Sequence, residues 1–331
     1  MQQISLQLQR SAPAALSIHW ARAGPLNGML YLLLTESKRW KNLLLNMSSS
    51  EFELLATSGA VFPFLETLTL DLCGLGSRHA ALFLGSLPAL VHLTLMTYRT
   101  SIPDGLDFIW AQLRTCKLMK YWMEDILRIL PLFSVGARVC ISDCSMRADV
   151  HPTSVHTVVS DLSLLRSHGS EVTDTLLDAL TAPCLKRFQI EGDYSLPHII
   201  TFLNRSACAL THLTMDIPAG LYSDRFADEL LTLLRSPHAR DIVDLEVDWR
   251  GKQQFGHSMD MLAMRDVVPN LRALAFGYIA RLDEAKLLEI CENRRSILQS
   301  LWLSRHISIS QDTVQALKLV AVEVIRFSLS T

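Results

Sequence analysis

A hydrophobic triplet recurs along this chain at one internal spacing. Leu65, Leu68 and Leu70 follow the pattern L-x-x-L-x-L, as do Leu90, Leu93 and Leu95, and again Leu298, Leu301 and Leu303. Side chains two residues apart in an extended segment project to the same face. The last two leucines of each triplet therefore point one way and the residues around them the other. A chain built from such strands buries their apolar side only by stacking one strand against the next.

The register extends with apolar matches at Trp40-Leu43-Leu45, Leu113-Cys116-Leu118, Val159-Leu162-Leu164, Leu185-Phe188-Ile190, Leu210-Leu213-Met215, Ile242-Leu245-Val247, Leu271-Leu274-Phe276 and Val322-Ile325-Phe327. Pro13-Leu16-Ile18 and Gly136-Val139-Ile141 are degenerate at the first position. Thirteen units result, in steps of 23 to 32 residues. With 49% hydrophobic residues a single match has little force, so the argument rests on the unbroken series and on what lies between. Segments such as Ser77–Leu87, Met123–Leu130, Leu196–Asn204, Asp224–Leu234 and Asp283–Arg294 carry apolar residues at helical spacing. Pro63, Pro88, Pro131, Pro183, Pro237 and Pro269 stand shortly before the strands, where a helix has to stop. The expected fold is an α/β leucine-rich-repeat solenoid over residues 1–331, right-handed, with parallel strands on a concave face and helices on a convex one. Residues 142–158 read as lacking a good helix, and the long steps around Gly220 and Gly251 read as surface insertions.

The net charge of −2 provides no general attraction to nucleic acid or to an anionic membrane. Seven scattered cysteines without a C-x-x-C pair fit a reducing compartment, with each thiol acting as a small apolar side chain. No basic-then-apolar leader is readable from Met1 to Gln9, and Met29 to Leu34 is far too short to cross a bilayer. The expectation is an intracellular monomer, cytoplasmic or nuclear.

Catalytic motifs are absent: there is no phosphate loop, no G-x-G-x-x-G, no H-E-x-x-H and no G-x-S-x-G elbow. Cys140 and Cys144 have no histidine at ligand spacing, so no metal, cofactor or enzymatic activity is expected. The strand arithmetic points instead to a binding surface. Third, fifth and seventh positions of each unit face away from the core. In three successive units the seventh positions are Glu191, Asp216 and Asp248, and Asp244 and Glu246 occupy the third and fifth positions of the last. These carboxylates read as a ladder of like charges for a basic partner, answered in part by Arg187, Arg250 or Lys252, with Trp302 as an aromatic anchor. Thr67, Thr69, His92, Thr94, Met96, Thr115 and Met119 form a mostly uncharged counterpart nearer the N-terminus.

The wording of the repeats resembles the leucine-rich-repeat portions of F-box proteins of mushroom-forming fungi. Pro13–Trp20 (PAALSIHW), Arg39–Leu45 (RWKNLLL), Phe62–Leu70 (FPFLETLTL), Leu180–Ile190 (LTAPCLKRFQI) and Ile199–Met215 carry the likeness, and FLNRSACALTHL is its most specific phrase. The resemblance implies the substrate-recognition part of a cullin-type ubiquitin-ligase receptor, whose repeats hold a protein target while an F-box docks on a Skp-type adaptor. The chain departs from that pattern in having no F-box before Ala12, so adaptor binding is expected only if an F-box lies outside this sequence. Truncation at either end, or a stand-alone scaffold without a ligase link, is the other expectation.

Overall fold

The computed structural model describes residues 2–21, 27–73, 77–98, 101–147, 153–167, 169–217, 224–249, 256–279, 282–320 and 322–327. The chain divides into two compact units, Met1–Val159 and Ser160–Thr331.

In the first unit, strands β1 (Leu16–Trp20), β2 (Trp40–Leu45), β3 (Thr67–Asp71), β4 (His92–Met96), β5 (Thr115–Met119) and β6 (Arg138–Ser142) form a parallel sheet in chain order, with the two-residue β7 (Val155–His156) outside it. Helices α1 (Gln2–Arg10), α2 (Asn27–Leu34), α3 (Ser49–Thr57), α4 (Ser77–Leu84), α5 (Asp107–Gln112) and α6 (Met123–Ile129) alternate with the strands. In the second unit, β8 (Asp161–Ser167), β10 (Arg187–Gly192), β11 (His212–Ile217), β12 (Asp244–Trp249), β13 (Ala273–Ile279), β14 (Ser300–Ser304) and β15 (Glu323–Phe327) are again parallel and sequential, with β9 (Leu180–Thr181) apart. Helices α7 (Ser170–Ala179), α8 (Leu196–Ser206), α9 (Asp224–Arg235), α10 (Gly256–Ala263), α11 (Glu284–Asn293) and α12 (Gln311–Leu319) connect them. Each unit is a repeat solenoid in which sequence order and spatial order coincide.

The leucine register holds through both units. Leu68, Leu70, Leu93, Leu95, Leu213, Leu245, Leu274 and Leu301 are all buried, and Leu68 pairs with Leu93 and Leu213 with Leu245 across neighbouring strands. The alternate residues Thr67, Thr69, His92 and Thr94 are half-exposed on the face without helices. That face is called the open face below. Aromatic rings reinforce the first core: Trp40 meets Phe62 at 5.3 Å, and Phe62 meets Phe83 edge-on at 5.4 Å.

Four of the six prolines act through one repeated turn, while Pro131 and Pro237 lie in short 3-10 helices. The amides of Leu65, Leu90, Leu185 and Leu271 donate to the carbonyls of Phe62, Leu87, Ala182 and Val268, at 3.2 to 3.4 Å. Pro63, Pro88, Pro183 and Pro269 fill the second position of that turn, where a fixed φ near −65° is already correct.

Two registers differ from the sequence reading. In the first strand Ile18 and Trp20, rather than Leu16 and Ile18, oppose Leu43 and Leu45, a shift of two residues that keeps the same face inward. In β15 it is Val324 that pairs with the core residue Leu301, while Ile325 lies opposite Trp302 on the open face. A one-residue slip there exchanges faces. The zone from 143 to 158 has no helix among its described residues, while Gly220 and Gly251 lie outside the described residues.

Arginine side chains tie the ends of three helices, α1, α7 and α10, to a neighbouring repeat. The last carbonyls of a helix lack partners within it, and arginines supply them here. Arg39 donates to Ala14 and Leu8, Arg205 to Leu177 and Leu180, and Arg294 to Leu262, Met264, Val267 and Val268. Arg294 is buried with only 1% of its surface exposed.

Candidate functional site

The open face of the second unit is built from rows of residues that adjacent strands place side by side. Asp161, Arg187, His212, Asp244, Ala273 and Ser300 form the first row, in register. Ser163, Gln189, Thr214, Glu246, Ala275 and Trp302 form the second. Most of these residues line a groove of about 460 Å³ that runs from Asp161 to Trp302. Over β13 the lining is reduced to Ala273 and Ala275, the smallest side chains in the two rows, after the longer residues of β12.

Charge is distributed differently in the two rows. In the first, Arg187 and His212 stand between Asp161 and Asp244, and its centre is a hydrogen-bonded chain: Nε2 of His212 meets Asp244 at 2.7 Å, and Nδ1 meets the Thr211 hydroxyl at 2.8 Å. Burial and then the Arg187 guanidinium push the His212 imidazole below its ordinary value, and Asp244 works against both. Thr211 also reaches the Lys186 carbonyl, at 3.1 Å. With neutral imidazole the hydroxyl donates to Nδ1, and with imidazolium it receives from Nδ1 and turns to that carbonyl.

The second row holds the uncompensated charge. Glu246 is half-buried and receives a long hydrogen bond of 3.4 Å from Thr214. Burial pushes its carboxyl above the ordinary value, the Thr214 hydroxyl pulls it partly back, and Asp248 and Glu191 push it up again. Among the described residues no Lys, Arg or His forms an ion pair with Glu246. Glu191 instead accepts from Gln189 Nε2 at 2.9 Å.

Of the six residues singled out in the sequence, Asp244, Glu246 and Trp302 line the groove, while Glu191 and Asp248 are half-buried at the next position along their strands. Asp216 is a correction. It pairs in register with Asp248 but is 4% exposed, because the last residues of β11, Met215 to Ile217, are all buried. Strict alternation ends there, and Asp216 lies close enough to the buried Tyr194 to add to the upward push that burial gives its phenol. The expected ladder of like charge is thus confined to the fifth and seventh positions. Arg187 stands in the first row between Asp161 and His212, and Arg250 and Lys252 lie outside the described residues.

Sequence reasoning missed the hollow itself. Ala273 and Ala275 are its signal, two alanines at successive outward positions beside two carboxylates. It missed Gly277 too: a Cβ there would come within 3.2 Å of the Asp248 carboxyl carbon. On the first unit, His92 Nδ1 and the Thr115 hydroxyl stand 2.8 Å apart between strands, but the face is not free of charge: Lys117, paired with Thr94, and Asp71, paired with Met96, are half-exposed among the expected uncharged residues.

All seven cysteines are free thiols, and burial pushes those of Cys208 and Cys291 up to about 11 and 12. No helix among the described residues is long and apolar enough to cross a membrane. A scan of the chain against protein-family models finds no match, and a search of the curated proteins finds none.

Proposed function

We propose that this chain is a non-catalytic protein-protein interaction module that holds its target on the open face of the second unit, and that it serves as the substrate-recognition part of an F-box-type ubiquitin-ligase receptor. The observation that carries the binding reading is the groove between Glu246 and Trp302: an exposed aromatic wall, a floor of alanines and a carboxylate without a cationic partner among the described residues. A sheet face that only solvates itself has no need to crowd Glu246 with Asp248 and Glu191. The ligase part rests on the resemblance of the repeats alone.

Changing Asp244, Glu246 and Asp248 together to Lys tests the binding part. All three are half-exposed, so the fold is expected to survive by circular dichroism. A partner captured by the wild-type chain is expected to lose binding to the triple variant and to weaken with salt. Unchanged affinity and salt dependence overturn the assignment of this face. Co-purification of a Skp-type adaptor with the complete product of the encoding gene supports the ligase part. Its absence leaves a stand-alone scaffold.

A further inference from the structure

We infer that His212 makes the open face of the second unit release a basic partner on mild acidification; this rests on the reading of that face given above and names its regulation. Three side chains on two strands form the device. His212 stands in register between Arg187 on β10 and Asp244 on β12, with Asp161 one strand further out on β8. Its Nε2 is 2.7 Å from Asp244 Oδ2, and its Nδ1 is 2.8 Å from the Thr211 hydroxyl. Both ring nitrogens are engaged, and both contacts suit either charge state of the ring.

The two states differ in what the face offers. In the neutral ring Nε2 carries the hydrogen that Asp244 accepts, so an entering proton goes to Nδ1. The Thr211 hydroxyl then accepts from Nδ1 and donates to the Lys186 carbonyl, 3.1 Å away. No hydrogen bond is lost in the exchange, so only the charge changes. Asp244, which lines the groove, becomes one half of an ion pair. Glu246, two residues along the same strand, gains a cation about 8 Å away by strand spacing and rise. A basic partner therefore meets a weaker field on the same surface.

Among the described residues, the charged groups around His212 are Arg187 and Asp161 on the strands to one side and Asp244 and Glu246 on the strand to the other. Lys186 immediately precedes β10, and Asp216, at the other end of the histidine's own strand, is buried. Burial and then Arg187 hold the imidazole below its ordinary value, against Asp244 and then Asp161. The ring is thus neutral at neutral pH, and Asp244 keeps its full charge toward the groove until the medium turns acid. Glu246 responds in the same direction, since acid neutralises its carboxylate, and the experiment has to separate the two.

The test uses the whole chain with a blocked hexalysine peptide as probe, at low salt. Affinity is measured at about pH 7.5 and about pH 5.5 for wild type, for His212→Gln, which takes up no proton in this range, and for Glu246→Gln. Both positions are half-exposed on the open face, so neither change opens the core. The quantity read is the ratio of the two affinities within each protein. Wild type is expected to bind about three- to tenfold more weakly in acid, Glu246→Gln to retain most of that ratio, and His212→Gln to lose at least about half of it. In parallel, the 15N imidazole signals of His212, assigned by their loss in His212→Gln, are expected to show a neutral ring with its hydrogen on Nε2 at about pH 7.5. They are expected to titrate below the ordinary value of 6.5. A ring already charged at about pH 7.5, a wild-type ratio in His212→Gln, or a peptide bound equally at both pH values or at neither overturns the switch. If the ratio survives in His212→Gln while peptide binding is lost on changing Asp244, Glu246 and Asp248 together to Lys, the switch falls and the binding face stands. If the triple change leaves peptide binding intact, the face itself falls.

Discussion

Replacing Arg294 by Met tests how the repeats of the second unit are held together. The guanidinium donates to Leu262 at 2.7 Å, Met264 at 2.6 Å and Val268 at 2.9 Å, and also to Val267. Leu262 lies in the last turn of α10 and the other three in the loop after it, where Met264 and Val268 also accept the amides of Val267 and Leu271. Methionine keeps most of the aliphatic stem and removes every donor. Each buried carbonyl left without a partner costs about 1–3 kcal/mol; Met264 and Val268 keep the amides of Val267 and Leu271, so the two that lose their donor, Leu262 and Val267, would sum to about 2–6 kcal/mol if nothing moved. Two effects reduce that sum. Burial pushes the guanidinium below its ordinary value, with Asp266 offsetting part, so removing the charge relieves a desolvation cost. The helix end also shifts to reach water. The expected loss is therefore about 2–4 kcal/mol. Urea unfolding followed by circular dichroism measures it, with amide exchange of α10 and α11 expected to accelerate first. Arg294→Lys keeps the charge, loses the fork and is expected to fall between. Arg305→Met, at an exposed site, serves as the control and is expected to stay within about 0.5 kcal/mol of wild type. A loss below about 1 kcal/mol for Arg294→Met refutes the reasoning, because the Leu262 and Val267 carbonyls would then have found other donors.

Leu93→Ala removes a side chain that is 2% exposed and is expected to cost about 2–5 kcal/mol in the same assay; a loss under about 1 kcal/mol would mean that the first core is loosely packed. Titration of the freshly purified, denatured protein with a thiol reagent, without prior reduction, is expected to count all seven cysteines, and a clearly lower count contradicts the thiol assignment. Glu246 has a raised carboxyl in the folded state, so its ionisation opposes folding: its contribution is full below its ordinary value of 4.5 and is lost as pH rises through the displaced value. Glu246→Gln is expected to be the more stable protein at neutral pH, with the difference vanishing below pH 4.5; a difference that does not change with pH counts against like-charge crowding.

The sequence by itself determined the repeat. Strand periodicity is a local property, and each L-x-x-L-x-L segment has only one way to bury both leucines, so the inward set from Leu68 to Leu301 was legible without a structure. Prolines before strands were legible for the same reason, since a fixed φ is a property of one residue. The carboxylates Asp244, Glu246 and Asp248 followed from counting outward positions. What counting did not supply was neighbourhood. Whether β12 lies beside two alanines, and whether a tryptophan stands on the far side, depends on which strands pair and in what register, and that is decided by the summed packing of whole repeats. Asp216 illustrates the limit: its position in the count is outward, yet the end of β11 is covered and the residue is buried. The arginine clamps illustrate another. Asn204-Arg205 and Asn293-Arg294 share a dipeptide near a helix end, but a long side chain that reaches carbonyls 25 or more residues away carries no periodicity, and only the tertiary structure shows what it holds.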